Sequence, residues 1–434
     1  MTPSAARAVT RRYHLLLALR FVPTGLSVTV FVLLLQDRGL SLGQIGLGIA
    51  TQGAVMLVLE LPSGGLADAL GRKPVVLLAT GFAMLSLSVL LVADSVALLV
   101  VVCTFQGVFR ALDSGPLQAW YVDALLAADP GASMERALGR ADVVSGSAIG
   151  GGALIAALVV AAGGIAGRTA LASPLVLALA VHAIGLMALT VLVAEPRRAP
   201  GWPAALQALR EVPAVVGGAT RVIRRSSLLA ALVVAEALWG FGMIAFEVFM
   251  PPRLAEVGGG ADQAAATLGP ALTVAWLLCA LGSAGAPCLA RRFGSARAGL
   301  GLRLAHGFTV AGMGVAAGPV GLVAAYLATY GVHGATNTVH YAMVHRAVDS
   351  RHRATVVSAN SLAAQVGGAA SGIALGALAD ATSITTAMLV AAGVLASAGP
   401  LYLCGRRPIG RVAGPSDVEP GDVAPADVEP AGYS

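Results

Sequence analysis

The amino-acid sequence predicts an all-α polytopic membrane protein, and three observations point to this class. Apolar residues make up 57% of the 434 residues and charged residues only 12%, whereas a soluble domain carries about 25% charged residues. The mean hydropathy is +0.82. Apolar runs of about 20 residues, the length that a helix needs to cross a bilayer, recur along the chain. Because backbone groups in lipid must be hydrogen-bonded within their own segment, these runs are expected to be helices.

The apolar runs predict twelve transmembrane helices, which we number as spans 1 to 12. A short sequence recurs in the two halves, because RADVVS at 140–145 opens span 5 and RATVVS at 353–358 opens span 11. This repeat predicts two pseudo-symmetric six-helix bundles around a central cavity. The predicted spans are 14–36, 41–63, 74–93, 97–123, 140–162, 171–194, 228–250, 267–289, 298–318, 320–344, 355–379 and 383–404.

The predicted domains follow from these spans. The N-terminal six-helix bundle covers 14–194 and the C-terminal bundle 228–404, after a cytoplasmic N-terminus at 1–13. The connection at 195–227 is rich in arginine and predicts a cytoplasmic linker that lies along the membrane surface. Residues 405–434 combine regular proline with acidic residues, which predicts a disordered cytoplasmic tail.

The distribution of basic residues predicts the orientation. Of the 28 lysines and arginines, only Arg38, Arg168 and Arg253 fall in the predicted external loops, and most of the others lie in loops or ends on the opposite side. Cytoplasmic loops carry the excess of lysine and arginine in membrane proteins. We therefore predict a multi-pass protein of the cell (inner) membrane with both termini in the cytoplasm.

The sequence also argues against several classes of function. The net charge of +6 is not gathered in a basic patch with interleaved aromatic residues, so no nucleic-acid partner is expected. Motifs of metalloproteases, serine hydrolases and nucleotide-binding loops do not occur, so we expect neither an enzyme nor an ATP-driven pump. The expected partners are a small-molecule solute and the lipid bilayer. We expect a functional monomer without a cofactor, with the proton gradient as its energy source.

The loop between spans 2 and 3 carries the most specific motif. Residues 64–73 have the sequence GGLADALGRK, ELPSG precedes them at 60–64, and span 4 contains RALDSGPLQAWYVD at 110–123. The loop resembles the signature G-x-L-A-D-R-x-G-R-K of the major facilitator superfamily, with Ala69 in place of the first arginine. The resemblance extends over residues 10–405 through the span count, the linker and the repeat. It implies a secondary transporter that works by alternating access.

Two glycines and a carboxylate of this loop are predicted to act in gating. Gly64 and Gly71 permit a close approach of helices and a tight turn. Asp68 lies where a carboxylate could meet a helix N-terminus and be stabilised by the helix dipole. The resemblance implies that this helix is span 11, near residues 354–358.

Three further charged residues complete the predicted gate. The resemblance implies that Arg72 pairs with Asp123 at the inner end of span 4, and Lys73 belongs to the same group. Such charges would hold the cytoplasmic side closed in one state and separate in the other. The alternative is a solvated loop whose charges only set the membrane topology.

Ionisable residues within the spans are further candidates, because each costs about 2.5–3.5 kcal/mol at the bilayer centre. Arg110 and Asp113 lie one helical turn apart in span 4 and could neutralise one another as a structural pair. Glu236 lies near the middle of span 7 with no basic residue nearby in the sequence. Burial without a partner favours its neutral, protonated form. We predict that Glu236 binds a proton or the solute, with Asp113 as the reserve candidate.

Span 10 adds a polar stripe. His333, Asn337 and His340 follow the spacing of one helical face, and such a face must meet the cavity or a neighbouring helix. We therefore group them with the coupling or solute-binding residues. No carboxylate or thiol accompanies the two histidines, so a metal site is not predicted. Arg303 in span 9 is expected to extend towards the membrane surface, and Glu247 to lie at the membrane interface.

The combined prediction is a secondary transporter, specifically a proton-coupled exporter of amphipathic or drug-like compounds. Export is favoured because alanine, valine, leucine and glycine are expected to line the cavity. The alternative is a proton-coupled or facilitative importer of a small metabolite. An intramembrane enzyme or a receptor is the competing class of function.

The predicted orientation can be tested by cysteine labelling from outside intact cells. In a background whose native cysteines are replaced, a cysteine at Ser416 should be protected from a membrane-impermeant reagent. A cysteine at Gly259, in the predicted loop between spans 7 and 8, should be labelled. The reverse labelling pattern would overturn the orientation.

Overall fold

The structure is a computed structural model that describes residues 3–165, 167, 169–195, 217, 218, 220–348 and 353–404. Within these ranges the regular secondary structure is entirely helical. Most of the predicted linker, and the whole predicted tail at 405–434, lie outside the described residues.

Each predicted span corresponds to one long helix or to two consecutive helices, so the span numbers are kept. The helices of the first six spans are Pro3–Val28 with Phe31–Asp37, Leu42–Leu70, Arg72–Leu90, Val96–Asp113 with Pro116–Ala128, Met134–Ala161 and Ser173–Leu192. Those of the last six are Ser227–Glu247 with Met250–Gly258, Ala261–Phe293, Ser295–Val315, Pro319–Arg346, Arg353–Ala381, and Ile384–Ser397 with a 3-10 turn at Gly399–Leu403.

Ten of these segments are long and apolar enough to cross a membrane by length and composition alone. Spans 9 and 10 fall short by that measure, although their helices have 21 and 28 residues. Both carry polar side chains that are buried in the protein, among them Arg303, His306 and His340. Polar residues within membrane helices normally face the bundle interior, whereas apolar side chains of the same spans, such as Phe308 and Val320, are exposed.

Span 4 is broken in the middle, where a continuous helix was predicted. Its first half ends at Asp113 and its second half begins at Pro116. Gly115 between them has a φ of 102°, which favours glycine, and proline lacks the N–H that a continuous helix would use. Non-helical backbone at this depth is tolerated where it is buried in protein or faces a cavity.

The helices pack as two six-helix bundles with the same internal arrangement. In the first bundle, span 1 packs against spans 5 and 6, span 4 against spans 2 and 3, and span 3 against span 6. Every one of these contacts recurs in the second bundle between the spans numbered six higher. The predicted pseudo-symmetry of the two halves is confirmed.

Two seams join the bundles, and small residues allow the helix backbones to approach closely there. Span 2 packs against span 11, and span 5 against span 8. A methyl group on Gly46 would overlap the carbonyl oxygen of Gly372, and one on Gly269 would overlap the carbonyl of Ala153. We call the end of the molecule that carries residues 64–73 the motif end, and the end with the turn at 38–41 the far end.

The span 2–span 11 seam predicts a contrast between two glycines of the same helix. Gly46→Ala should force the bundles apart, because the added methyl group meets backbone. Overpacking of this kind costs about 1–3 kcal/mol, so the melting temperature in detergent should fall by several degrees and transport should be largely lost.

Gly64→Ala is the matched control, because no atom lies within 4 Å of the position its methyl group would take. It should melt close to the wild-type temperature. Equal melting temperatures for the two variants would contradict the close seam.

Candidate functional site

A cavity of about 500 Å³ lies between the bundles. Residues of spans 1, 2, 4 and 5 line it from the first bundle, and residues of spans 7, 8 and 10 line it from the second. This volume is within the range of small-molecule binding sites. A movement of one bundle against the other would therefore change access to this cavity.

One wall of the cavity holds an ion pair between spans 1 and 4. Arg20 Nη2 forms a salt bridge with the carboxylate of Asp113, whose side chain is only 5% exposed. The same Nη2 donates to the carbonyl oxygen of Asp113 at 3.3 Å. That oxygen lies where the helix of span 4 ends, so the break supplies a carbonyl that Arg20 can use. The pair thus stabilises the break and carries charge to the cavity.

The predicted pairing of Arg110 with Asp113 is wrong. Arg110 is exposed and lines the cavity, and it forms no ion pair within the part of the chain that the structure describes. The carboxylate of Asp113 instead meets Arg20 on the neighbouring helix. Spacing of one turn allowed the predicted pair, but Arg20 of span 1 is the direct partner and Arg110 acts on Asp113 without an ion-pair contact.

Two carboxylates of other spans lie within electrostatic range of Arg110. They are Glu60 of span 2 and Glu247 of span 7. Glu247 lines the central cavity, so its predicted position at the membrane interface is wrong. The cation and carboxylates give the cavity polar chemistry on both bundles.

Aromatic side chains form much of the remaining cavity wall. Trp276 and Tyr330 have ring centroids 6.1 Å apart, and those of Tyr326 and Tyr330 are 4.9 Å apart. The lining also includes aliphatic residues such as Leu268, but no alanine or glycine. The predicted alanine and glycine lining is therefore wrong, whereas Val28, Leu268 and Leu272 agree with the predicted valine and leucine. The small residues occupy helix–helix seams instead, as Gly46 and Gly269 do.

Glu236 lies inside the second bundle, away from the lining of this cavity. Its side chain is 2% exposed, and its Oε2 is 3.5 Å from Arg303 Nη2 and 3.4 Å from His340 Nε2. The inference that Glu236 has no cation nearby is wrong, because the cation comes from span 9, 67 positions along the chain. Arg303 is fully buried, so the prediction that it extends to the membrane surface is also wrong.

Tyr402 and Asn360 extend this buried network to spans 12 and 11. Arg303 Nε donates to Tyr402 Oη at 3.1 Å, and Tyr402 Oη lies 2.8 Å from His340 Nδ1. His340 Nε2 lies 3.2 Å from Asn360 Oδ1. A neutral His340 fits all three contacts, because its Nδ1 can accept from Tyr402 while its Nε2 donates to Asn360 or Glu236. The sequence analysis did not identify Tyr402 or Asn360.

The other members of the polar stripe lie beside this network. Asn337 Nδ2 and His333 Nε2 are 3.1 Å apart. His333 is near two residues that line the cavity, with ring centroids 5.7 Å from Phe246 and 6.1 Å from Tyr330. Of the six predicted coupling or solute-binding residues, the structure therefore brings Arg110 and Asp113 to the cavity. His333, Asn337, His340 and Glu236 belong to the interior of the second bundle.

At the motif end, the structure contains the expected contact between Arg72 and Asp123. Arg72 Nη1 lies 2.6 Å from Asp123 Oδ2, and Lys73 Nζ donates to the carbonyl oxygen of Thr190 at 2.7 Å. The backbone of Asp68 belongs to the helix of span 2. The predicted contact of its side chain with span 11 lies outside the described residues.

The two motif glycines that were predicted to act in gating, Gly64 and Gly71, differ in what they do. Gly71 separates spans 2 and 3 with a φ of 95°, a conformation that L side chains rarely adopt. Gly64 lies inside the helix with open space around it, so the predicted close helix approach at Gly64 is wrong. The close approaches of span 2 occur nearer its other end, at Gly43 and Gly46.

Glu195 holds the start of span 3 and was not identified from the sequence. Its two carboxylate oxygens accept from the backbone N–H groups of Arg72 and Lys73, each at 3.0 Å. A carboxylate at a helix N-terminus satisfies free donors and complements the helix dipole. The motif loop is thus anchored within its own bundle by a residue at the end of span 6.

At the far end, Asp380 of span 11 caps span 2. Its Oδ2 accepts from Ser41 Oγ at 2.6 Å and from the N–H of Gly43 at 2.8 Å, and its Oδ1 accepts from the N–H of Leu42 at 3.0 Å. The sequence analysis missed Asp380, although an acidic residue at the end of an apolar run was the available signal. This contact crosses between the bundles, so it must break if span 11 leaves span 2 at this end.

Comparison with known families and structures gives consistent matches. The family model described as Major Facilitator Superfamily matches residues 14–370. A search among curated proteins finds no match.

Solved transporter structures are similar in fold. The nucleoside transporter NupG has a TM-score of 0.74 at 14% identity, covering 91% of this chain and 98% of its own. A bacterial homolog to the human lysosomal transporter Spinster, in an inward-facing and occupied conformation, has a TM-score of 0.73 at 16% identity, covering 93% and 97%.

The ion pair between Arg20 and Asp113 predicts non-additive stability. Asp113→Asn alone leaves the guanidinium without its partner, so it should lower the melting temperature. The double variant with Arg20→Gln should recover part of the loss, since coupled pairs show interaction energies of about 0.5–3 kcal/mol. Arg110→Gln is the comparison and should couple to Asp113→Asn more weakly, because Arg110 acts on Asp113 without a direct ion pair. Additive effects of Arg20→Gln and Asp113→Asn on the melting temperature would contradict the pair.

Proposed function

Because the chain belongs to the Major Facilitator Superfamily, we propose that it is a proton-coupled secondary transporter that moves a small solute by alternating access. The family and the transporter fold indicate transport rather than enzymatic catalysis. The observation that carries the proposal of proton coupling is the pairing of two fully buried charged groups, Glu236 and Arg303, in the interior of the second bundle.

The energetics of this pair favour a reversible proton site. Two buried charges cost desolvation energy that their attraction offsets only with good geometry, and the 3.5 Å contact between Glu236 and Arg303 is long for a charge-assisted hydrogen bond. A proton on Glu236 removes its charge and releases Arg303 from the pair. Arg303 keeps its contact with Tyr402 in either state. Protonation therefore weakens the contact between Glu236 and Arg303, while the hydrogen bond to Tyr402 still holds the guanidinium in place.

The solute that best suits the cavity is a small molecule with a planar or aromatic part and a polar or charged part. Trp276, Tyr326 and Tyr330 offer aromatic faces, and Arg110 and Glu247 offer opposite charges. A cavity that combines apolar area with a few polar groups orients a ligand through those groups. The observed lining therefore suits an amphipathic solute better than a purely hydrophobic one.

Export of such amphipathic compounds is the first candidate, favoured by the aliphatic part of the lining at Met56, Ile149 and Leu268. Import of a small polar metabolite is the second candidate, favoured by the charged side chains of Arg110 and Glu247. The two are distinguished by comparing cells with and without the gene. A panel of candidate solutes should accumulate more with the gene for an importer, and resistance to amphipathic compounds should rise for an exporter.

Gating is proposed to use charged contacts at both ends of the bundles. At the motif end these are the Arg72–Asp123 pair and the Asp68 region, and at the far end the cap that Asp380 forms on span 2. With the termini in the cytoplasm of a cell (inner) membrane, the motif end would face inwards. A monomer suffices, because the cavity and both gates are formed by one chain.

The coupling role of Glu236 predicts a separation of two transport modes. Glu236→Gln should abolish gradient-driven accumulation or extrusion of a solute identified in the panel, because the site can no longer exchange a proton. Counterflow exchange of the same solute should persist, since Glu236 does not line the cavity. Both are measured in proteoliposomes with and without a protonophore.

Glu256→Gln is the matched control, because Glu256 is a surface carboxylate paired with Arg253 at 2.8 Å. It should leave both modes unchanged. Gradient-driven transport that survives Glu236→Gln would remove Glu236 from the mechanism, and the same result for Asp113→Asn would indicate a uniporter or another coupling ion.

A further inference from the structure

A group of buried polar atoms without protein partners lies next to the Glu236 network. We call its residues, Trp239, His306, His333 and Asn337, the polar cluster. Within the described part of the chain, no hydrogen-bond partner meets Trp239 Nε1, either ring nitrogen of His306, His333 Nδ1 or Asn337 Oδ1.

The members of the polar cluster lie close together on three spans. The rings of His306 and His333 have centroids 5.7 Å apart, and the indole of Trp239 stacks on His333 at 5.4 Å. His333 is in turn 3.1 Å from Asn337 through their nitrogen atoms. His306 is fully buried. The unpartnered atoms therefore share one small region of the second bundle.

Such a concentration of unpartnered atoms requires a ligand. The large majority of buried side-chain polar atoms in proteins have a hydrogen-bond partner, and an atom left without one carries an uncompensated desolvation cost. The cluster offers both hydrogen-bond donors and acceptors. The indole N–H of Trp239 and His333 Nδ1 donate, and Asn337 Oδ1 accepts. A neutral His306 donates from one ring nitrogen and accepts at the other. Water both donates and accepts, so it fits this mixed set, whereas an ion would be matched by groups of one kind.

The cluster lies between the central cavity and the buried ion pair. On one side Phe246, which lines the cavity, has its ring centroid 5.3 Å from that of His306. On the other side Arg303 precedes His306 by one helical turn of span 9, and its Nη1 is also unpartnered. The other terminal nitrogen of Arg303, Nη2, contacts Glu236. Polar atoms thus continue from the cavity wall to the proposed proton site.

We propose that the polar cluster binds a short chain of water molecules that conducts protons between the central cavity and Glu236. The proposal rests on the proposed function, in which Glu236 is the proton site. Protonated Glu236 gives its proton to the adjoining water and becomes the carboxylate that pairs with Arg303. The proton passes along the water chain to the cavity while His306 and His333 stay neutral.

The charged and titratable groups that face Glu236 come from three other spans. Among the described residues none of these groups is a second carboxylate. Glu236 is therefore the acid that exchanges protons with the water path. The groups that face Glu236 are Arg303 of span 9, His340 and Tyr341 of span 10 and, through Arg303, Tyr402 at the end of span 12.

Infrared difference spectroscopy of the purified full-length protein after a pH jump tests the path without a solute. The carbonyl-stretch band of protonated Glu236 is identified by its loss in Glu236→Gln. In the His306→Phe and His333→Phe variants, the rate at which this band changes should fall by roughly tenfold or more, while its final amplitude stays the same. His306→Gln, which can still hold water, should recover much of the rate.

His345→Phe is the control, because His345 is an exposed histidine at the end of span 10. Its rate should equal that of the wild type. An unchanged rate in both cluster variants, or a loss of amplitude that His306→Gln does not restore, would overturn the water path alone. A wild-type protein with no band assignable to Glu236 would instead overturn the proposed function.

The solute provides the alternative occupant of the cluster. If the cluster were part of the solute site, His306→Phe and His333→Phe would reduce counterflow exchange as much as gradient-driven transport. The water path predicts that counterflow is retained. An experimental structure should then contain ordered water within hydrogen-bond distance of His306 and Asn337, and a dry, collapsed cluster would contradict the proposal.

Discussion

The close contact of span 2 with span 11 is the constraint on which the rest of the structure depends. Backbone meets backbone at Gly46 and Gly372, so the two bundles are as close along this line as their backbones allow. At the far end Asp380 adds three hydrogen bonds to the start of span 2. Towards the motif end Ser361 Oγ lies 3.5 Å from Glu60 Oε1. The seam therefore joins the two bundles beside the cavity and carries polar contacts at both of its ends.

Small residues at the seams determine where the large and charged residues lie. Because glycine and alanine fill the helix contacts, aromatic and ionisable side chains are left for the cavity and the bundle interiors. The two bundles then use charge differently. The Arg20–Asp113 pair of the first bundle borders the cavity, whereas the Glu236–Arg303 pair of the second is fully buried. We infer that both bundles shape the solute site and that the second bundle also holds the proton.

The sequence predicted the spans and the duplicated bundles from local pattern, and the family resemblance implied the contact of Arg72 with Asp123. It failed where partners come from distant helices. Arg303 and Glu236 are 67 positions apart. The hydropathy pattern does not show which face of span 9 meets which face of span 7. The break in span 4 was predictable in principle from Gly115 and the proline after it. The cap by Asp380 was not, because it requires the register of two helices from different bundles.

Spin-label distances across the span 2–span 11 seam test this account most directly. One pair of labels at Leu47 and Thr382 reports the far end, and a second pair at Ala69 and Ser358 reports the motif end. Both distances are measured by double electron–electron resonance in lipid as the pH is changed, with and without a transported solute. The account predicts that one distance lengthens as the other shortens. Two distances that stay fixed, or that change in the same direction, would contradict a seam that opens alternately at its two ends.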